Sequence, residues 1–511
     1  MISPLYGAWN VATPQKVASA AQPAQMEVAS QPADQAVLGQ SQPALMAAPT
    51  TAPSGPPQPR GARLAENTFS KFMKYRKFDL EVERGGKVET TRVGILNGPG
   101  HDVAAVASMV LDPQGHPQLL LKTGDTRVSR SLRGDDYVKI GSVAGRLDKV
   151  GADFAKIGLA ELSEEVGGVV VGDSLRRLGE ALSPTMPHES TECDACFFSL
   201  VELKGQAQGD GGGMEVTDLI GPAFFTPQRG LAAMESGLIG DSGRCQMLYA
   251  RALDAIGYIP ELGTYVHDHP ALQERFSSLG LGAPLDPRSQ AAGAPIPPPP
   301  PPGNTLESQI NHGYFEECQE VALGDGARLL DGKSRHAVAA TPVGNPIPNQ
   351  LLSVPYDRAK VVHFVNDPQR GPLVRFTDQE RPVLAVRQLE LQQECPAAKE
   401  APAWIRGDVD EVQLDRKRPA HEQVGPQAMP LGAPTTASAG QSDLKIHFYA
   451  VPEPASQANS SYIPLSEALQ RCREGQGDAQ TEASLLRLAR QLEWIPGLQM
   501  SVDQARKLIN S

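Results

Sequence analysis

Aromatic residues make up only 5% of this 511-residue chain, and charged residues 21%. So small a share of large apolar side chains leaves part of the length unable to pack a core. Cysteine is scarce too, with six residues, far below the density of a disulfide-built secreted scaffold; a reducing working compartment is expected. Basic residues are outnumbered 47 to 59, for a formal net charge of −12. That excess argues against a dedicated nucleic-acid binder, because a phosphate backbone would be repelled on average. No run approaches 18 apolar residues, so no membrane span is expected. Residues 1–60 carry only four charged side chains, Lys16, Glu27, Asp34 and Arg60. They lack a basic segment followed by an apolar one, which excludes a Sec signal peptide.

What is present is length, glycine and proline. The chain is long enough for two to four domains, and its 49 glycines and 45 prolines mark linkers and turns. The leader is Ala-, Pro-, Gln- and Ser-rich without a period, so residues 1–65 are expected to be disordered. Six consecutive prolines, Pro297 to Pro302, close a stretch over residues 281–305 that reads as a stiff polyproline linker rather than a docking peptide. Between leader and linker, Val103 to Leu111 and Gln118 to Lys122 read as strands around the turn Asp112-Pro-Gln-Gly115. A helical period runs from about Asp153 to Val166, and a strand covers Ala195 to Val201. Cys193 and Cys196 have C-x-x-C spacing but no second pair nearby, so buried thiols on a strand are expected rather than a zinc or redox site.

The chain also repeats itself. Asp112-Pro113-Gln114 returns as Asp367-Pro368-Gln369, and Tyr258-Ile-Pro-Glu-Leu262 returns as Trp494-Ile-Pro-Gly-Leu498. The strand starting at Cys196 is matched with Ile446 to Val451. Three landmarks in one order predict a duplicated α/β (α+β) unit, residues 66–280 and 306–511, the second copy shortened in its middle.

Chemistry concentrates where the second copy is short. Glu161, Glu164 and Glu165 stand at i, i+3 and i+4, on one face of a single helical turn. Three carboxylates so placed repel unless a cation lies between them, and hard oxygen donors suit Mg²⁺ or Mn²⁺. Gly167 just beyond is a C-cap, so the acids lie at the negative end of the helix dipole, where a metal would relieve them.

These residues resemble the Nudix box, G-x5-E-x7-R-E-U-x-E-E-x-G-U with U aliphatic. Glu161, Leu162, Glu164, Glu165 and Gly167 occupy its E-U-x-E-E-x-G positions. Ala144-Gly145 with Leu147-Asp148 resembles the entry of the ADP-ribose and ADP-sugar diphosphatases, as do Ser183-Pro184 and Ser190-Thr191-Glu192 further on. The resemblance implies a Nudix α/β/α sandwich with a mixed sheet over residues 66–280 and a degenerate, metal-free copy over 306–511. It implies Mg²⁺ (or Mn²⁺) held by Glu161, Glu164, Glu165 and the Ala144 carbonyl. It also implies water attack on a nucleoside-diphosphate derivative such as ADP-ribose, an ADP-sugar or NADH. Glu215 is the candidate general base, with Glu165 in the catalytic turn, while Arg127 and Glu192 are the candidate substrate contacts. The pattern's arginine is Ala160 here, its first glutamate falls at Ala152, and Gly168 replaces the final aliphatic residue. Asp378-Gln-Glu-Arg-Pro382 in the second copy resembles a substrate-side strand end of the same subgroup. Family members pair as homodimers, so the two copies are expected to form an intramolecular pseudo-dimer. With its unfolded leader, the chain is similar to Nudix-type effectors that plant-pathogenic bacteria inject through type III secretion. A catalytically inactive scaffold binding host proteins is the alternative.

Overall fold

Strand Val103–Leu111 (β4) alternates small and branched residues, and both of its faces are buried, so helices must cover both. One face, with Ala104 and Val106, packs on Leu162 and Val166 of helix Phe154–Val166 (α1). The other, with Ala105, Ala107 and Met109, packs on Leu248, Tyr249 and Leu253 of helix Ser242–Ala255 (α3). The period of two along one strand thus sets three layers, helix on sheet on helix.

The computed structural model describes residues 58–511, apart from 70–73, 97–101, 124–139, 186–189, 205–221, 291–313, 395–404, 437–441 and a few shorter segments. Strands Gln58–Phe69 (β1), Lys74–Arg84 (β2) and Lys87–Leu96 (β3) form an antiparallel sheet. A mixed sheet follows, in which β4 lies antiparallel to Pro117–Thr123 (β5) and Val143–Arg146 (β6) and parallel to Cys193–Leu203 (β7). After helix Pro227–Glu235 (α2) and α3 come the hairpin Tyr258–Ile259 with Thr264–Tyr265 and helix Pro270–Ser278 (α4).

The same order of elements then recurs. Tyr314–Gly324 (β8), Ala327–Val338 (β9) and Thr341–Ser353 (β10) form a second three-stranded antiparallel sheet. Tyr356–Asp367 (β11) pairs antiparallel with Gly371–Arg375 (β12) and Asp410–Asp415 (β13), and parallel with Lys445–Pro452 (β14). Helices Leu465–Arg473 (α7) and Ala479–Gln491 (α8), the hairpin Trp494–Ile495 with Met500–Ser501, and helix Val502–Ile509 (α9) close the chain. Helices Pro382–Glu394 (α5) and Ala420–Val424 (α6) lie within this half.

Several boundaries differ from expectation. Strand β1 starts at Gln58, inside the stretch read as leader, because β2 offers its residues a ladder that composition does not show. The tract expected as linker begins with an ordered turn at Pro287–Ser289, where Asp286 caps the turn and Arg288 bonds Asp268. The strand match is two residues out of register. Aligning the turns at Asp112 and Asp367 sets Ala105 against Lys360, whose parallel partners are Cys196 and Phe448, so Ile446 answers to Asp194.

The halves are packed together. Val383, Ala385 and Val386 of α5 fill the first three-stranded sheet's core with Phe78, Leu80 and Ile95, and Arg387 bonds Asp102 at 2.7 Å through both guanidinium arms. Helices α3 and α8 pack against each other, and Ile259, Val266, Ile495 and Val502 share one cluster.

Candidate functional site

Helix α1 begins where Asp153 accepts hydrogen bonds from the Ala155 and Lys156 amides. It ends where Gly167 turns left-handed at φ 64° and returns its amide to Leu162 and Ser163. Asp153 therefore serves as the N-cap, and the last turn is fixed by that stop.

The last turn lies over β6, whose residues there are small. A Cβ at Gly145 would stand 2.2 Å from Glu161 Oε1, so the absence of a side chain is what admits this carboxylate to the strand. Glu165 is buried, accepts the Ala144 amide at 3.1 Å, and takes the ammonium of Lys122 from β5. Glu161 and Glu165 thus converge on the Ala144–Gly145 backbone, while Glu164 is half-buried on the same turn. Among the described residues, no three His, Cys, Asp or Glu side chains form a group able to hold a metal as they stand. The donor set nonetheless fits a hard divalent cation, since the Gly145 cradle gathers two carboxylates, the hard oxygen donors such an ion takes. Lys122 supplies positive charge at Glu165.

The other sequence-predicted residues fall differently. Arg127 and Glu215 lie outside the described residues. Glu192 is buried, with Arg244 at 2.7 Å and Arg146 at 3.5 Å, so its carboxylate serves as their counter-ion. Arg244 also bonds Asp194 at 2.6 Å. Arg146, two residues beyond Ala144, has a side chain 39% exposed and stands at the open end of β6. Sequence reading missed it and Lys122, because Arg146 fills a variable position of the motif and Lys122 lies outside it; a cation on the strand beside the acidic turn was the available signal.

The two cysteines lie buried and unoxidised on β7. Burial, with the nearby carboxylates, pushes Cys193 up to about 12 and Cys196 up to about 11, which suits structural thiols rather than a redox pair. In the second half, Arg381 of the Asp378-to-Pro382 stretch is buried against Asp408 and Glu411, a structural place. Lys360 joins that cluster. Burial works against its ammonium, but Asp408, Asp478 and Glu411 outweigh this and raise its pKa. No helix among the described residues is long and apolar enough to cross a membrane.

No family model and no curated protein matches the chain. Among solved structures, a crystal structure of an ADP compounds hydrolase is similar to it, with a TM-score of 0.30 and 14% identity, over 41% of this chain and the whole of that one.

Proposed function

We propose that the first half is a Nudix-type hydrolase cutting the diphosphate of a nucleoside-diphosphate derivative, ADP-ribose, an ADP-sugar or NADH. The observation carrying this reading is the convergence of Glu161 and Glu165 on the side-chain-free cradle at Gly145. A divalent cation such as Mg²⁺, held by Glu161, Glu164, Glu165 and the Ala144 carbonyl, would screen the diphosphate and lower the pKa of the attacking water. The chain's own residues do the placing. Gly145 and the α1 stop at Gly167 fix the carboxylates, Lys122 balances Glu165, and Arg146 offers an exposed cation to a substrate phosphate. Arg127 and Glu215 complete the proposal as phosphate contact and general base.

The second half is, on this reading, a degenerate copy of the first, supported by the shared element order and the parallel pairs β4/β7 and β11/β14. Delivery by type III secretion into a host cell belongs to the same proposal and is tested by fusing residues 1–57 to a reporter.

The deciding assay incubates the full chain with ADP-ribose, ADP-glucose, NADH and CoA, with Mg²⁺ or Mn²⁺, beside a Glu161→Gln/Glu165→Gln variant. Turnover is expected to fall roughly 10²-fold or more in the variant. Equal turnover, or none by the native chain, sinks the enzymatic reading. The second reading, a non-catalytic scaffold for host proteins, is favoured by the Lys122 ammonium on Glu165 and by Ala160 in place of the motif arginine; it predicts that null result.

A further inference from the structure

The contact between the halves at α3 and α8 is two-fold symmetric in position. Tyr258 and Trp494 differ by 236 positions, and the same shift carries Gln246 to Glu482 and Arg251 to Arg487. Arg251 Nε donates to both Glu482 oxygens, at 3.0 and 3.1 Å, and Arg487 Nε donates to Gln246 at 2.9 Å. The arginines also return to equivalent carbonyls, Arg251 to Cys472 at 3.3 Å and Arg487 to Met234 at 3.4 Å. Each of these contacts thus has a mate in which the two halves exchange roles, as in an isologous dimer.

The charges break that symmetry. On the first half the outer positions are Glu235 of α2 and Asp254 of α3; on the second, their mates are Arg473 of α7, at the shift of 238 that relates Met234 to Cys472, and Arg490 of α8, at the shift of 236. Arg490 bonds Glu235 at 2.9 Å, and Arg473 bonds Asp254. Had the first half met another first half, Glu235 would face Asp254; two second halves would set Arg473 against Arg490. The Gln246/Glu482 difference is not needed for this result.

We propose that this face is self-complementary in shape but polarised in charge, so that its partner is the opposite half of the same chain and not a second copy of the same half. Like charges at both outer contacts reject homotypic pairing, and opposite charges hold the heterotypic one. The inference rests on the contacts between the halves and is independent of the hydrolase reading.

The test is a charge-exchange cycle in the full chain. Glu235→Arg/Asp254→Arg gives the first half the second half's charges, and Arg473→Glu/Arg490→Glu does the reverse. Each reproduces one homotypic contact, and the four changes together restore attraction with inverted polarity. Each double variant is expected to lower Tm by roughly 3 °C or more, the fall growing at low salt. The quadruple variant should return close to the native Tm, and the native chain should sediment as a monomer at every concentration tried. Unchanged Tm in both double variants, or a quadruple variant at the sum of their falls, overturns the proposal. So does a native dimer that either double variant dissolves.

Discussion

The two halves lay similar strands in the same order, yet among the described residues only the first sets a helical turn of acids against a glycine of its sheet. Aligned on the turns at Asp112 and Asp367, β6 answers to β13, and the register that pairs Ala104 with Gly145 pairs Ala359 with Val412. Val412 packs with Ala359, Leu414, Ala420 and Val424, so it fills the space that Gly145 leaves to Glu161. The helix above it is also shorter, five residues in α6 against 13 in α1. A candidate site on this scaffold therefore needs an opening in the strand and a turn of helix long enough to reach it; the described residues of the second half show neither.

The sharpest way to break this comparison is to copy Val412 into the first half. Gly145→Val places a side chain against Glu161 Oε1, and Mn²⁺ affinity should drop on the order of 10²-fold, with turnover following. Titration of the folded variant by Mn²⁺ electron paramagnetic resonance checks it. Native-like binding by a folded Gly145→Val chain would show that the cradle is not what separates the halves.

A second contrast lies where the halves meet. Arg251 is buried against a carboxylate, Glu482, and Arg487 against an amide, Gln246. Removing Glu482 leaves a buried guanidinium without its counter-charge, and Glu482→Ala should cost about 3–5 kcal/mol. Gln246→Ala removes a neutral acceptor and should cost about 1–3 kcal/mol. Burial lowers Arg487 to about 10, with Glu235 opposing, whereas at Arg251 the same burial is outweighed by Glu482 and the pKa is raised. Denaturant unfolding of both variants reads the difference, and equal losses would mean that the charge at Glu482 adds nothing.

Much of this was legible beforehand because it is local. The α1 span, its Gly167 stop, the β4–β5 turn and the strand at Cys193 all follow from short-range periodicity and turn chemistry. The acidic turn was legible for the same reason, since i, i+3 and i+4 spacing needs no partner. What stayed hidden is long-range. Gly145 acquires meaning only when α1 lies over it, and Lys122 meets Glu165 across 43 positions of sequence. Glu192 carries the right letter for a substrate contact, but Arg244 and Arg146 claim it from other elements. The match of β14 with β7 was misjudged by two residues because that shift preserves which face each side chain takes. Arg387 and Asp102 meet from opposite halves, so nothing near either of them announces the pair.

The smallest expected effect tests the repeat at backbone level. The terminal hairpin of the first half is flanked by Gly257 at φ 64° and Gly263 at φ 69°. The positions that answer to them are Glu493 and Gln499, both at φ 49°, the two positive-φ residues other than glycine among those described. The second turn has the same left-handed corners without the residue type that adopts them freely. Glu493→Gly and Gln499→Gly should therefore each stabilise by roughly 0.5–1 kcal/mol, the relief of αL strain less glycine's greater chain entropy. The reverse change is not symmetric. A Cβ at Gly257 would stand 2.7 Å from Pro284, so Gly257→Ala meets a clash as well as strain and should lose more than Glu493→Gly gains. Thermal unfolding of the three variants decides it. A loss on Glu493→Gly would mean that this corner is held by its side chain, and that the two hairpins share a shape without sharing its cause.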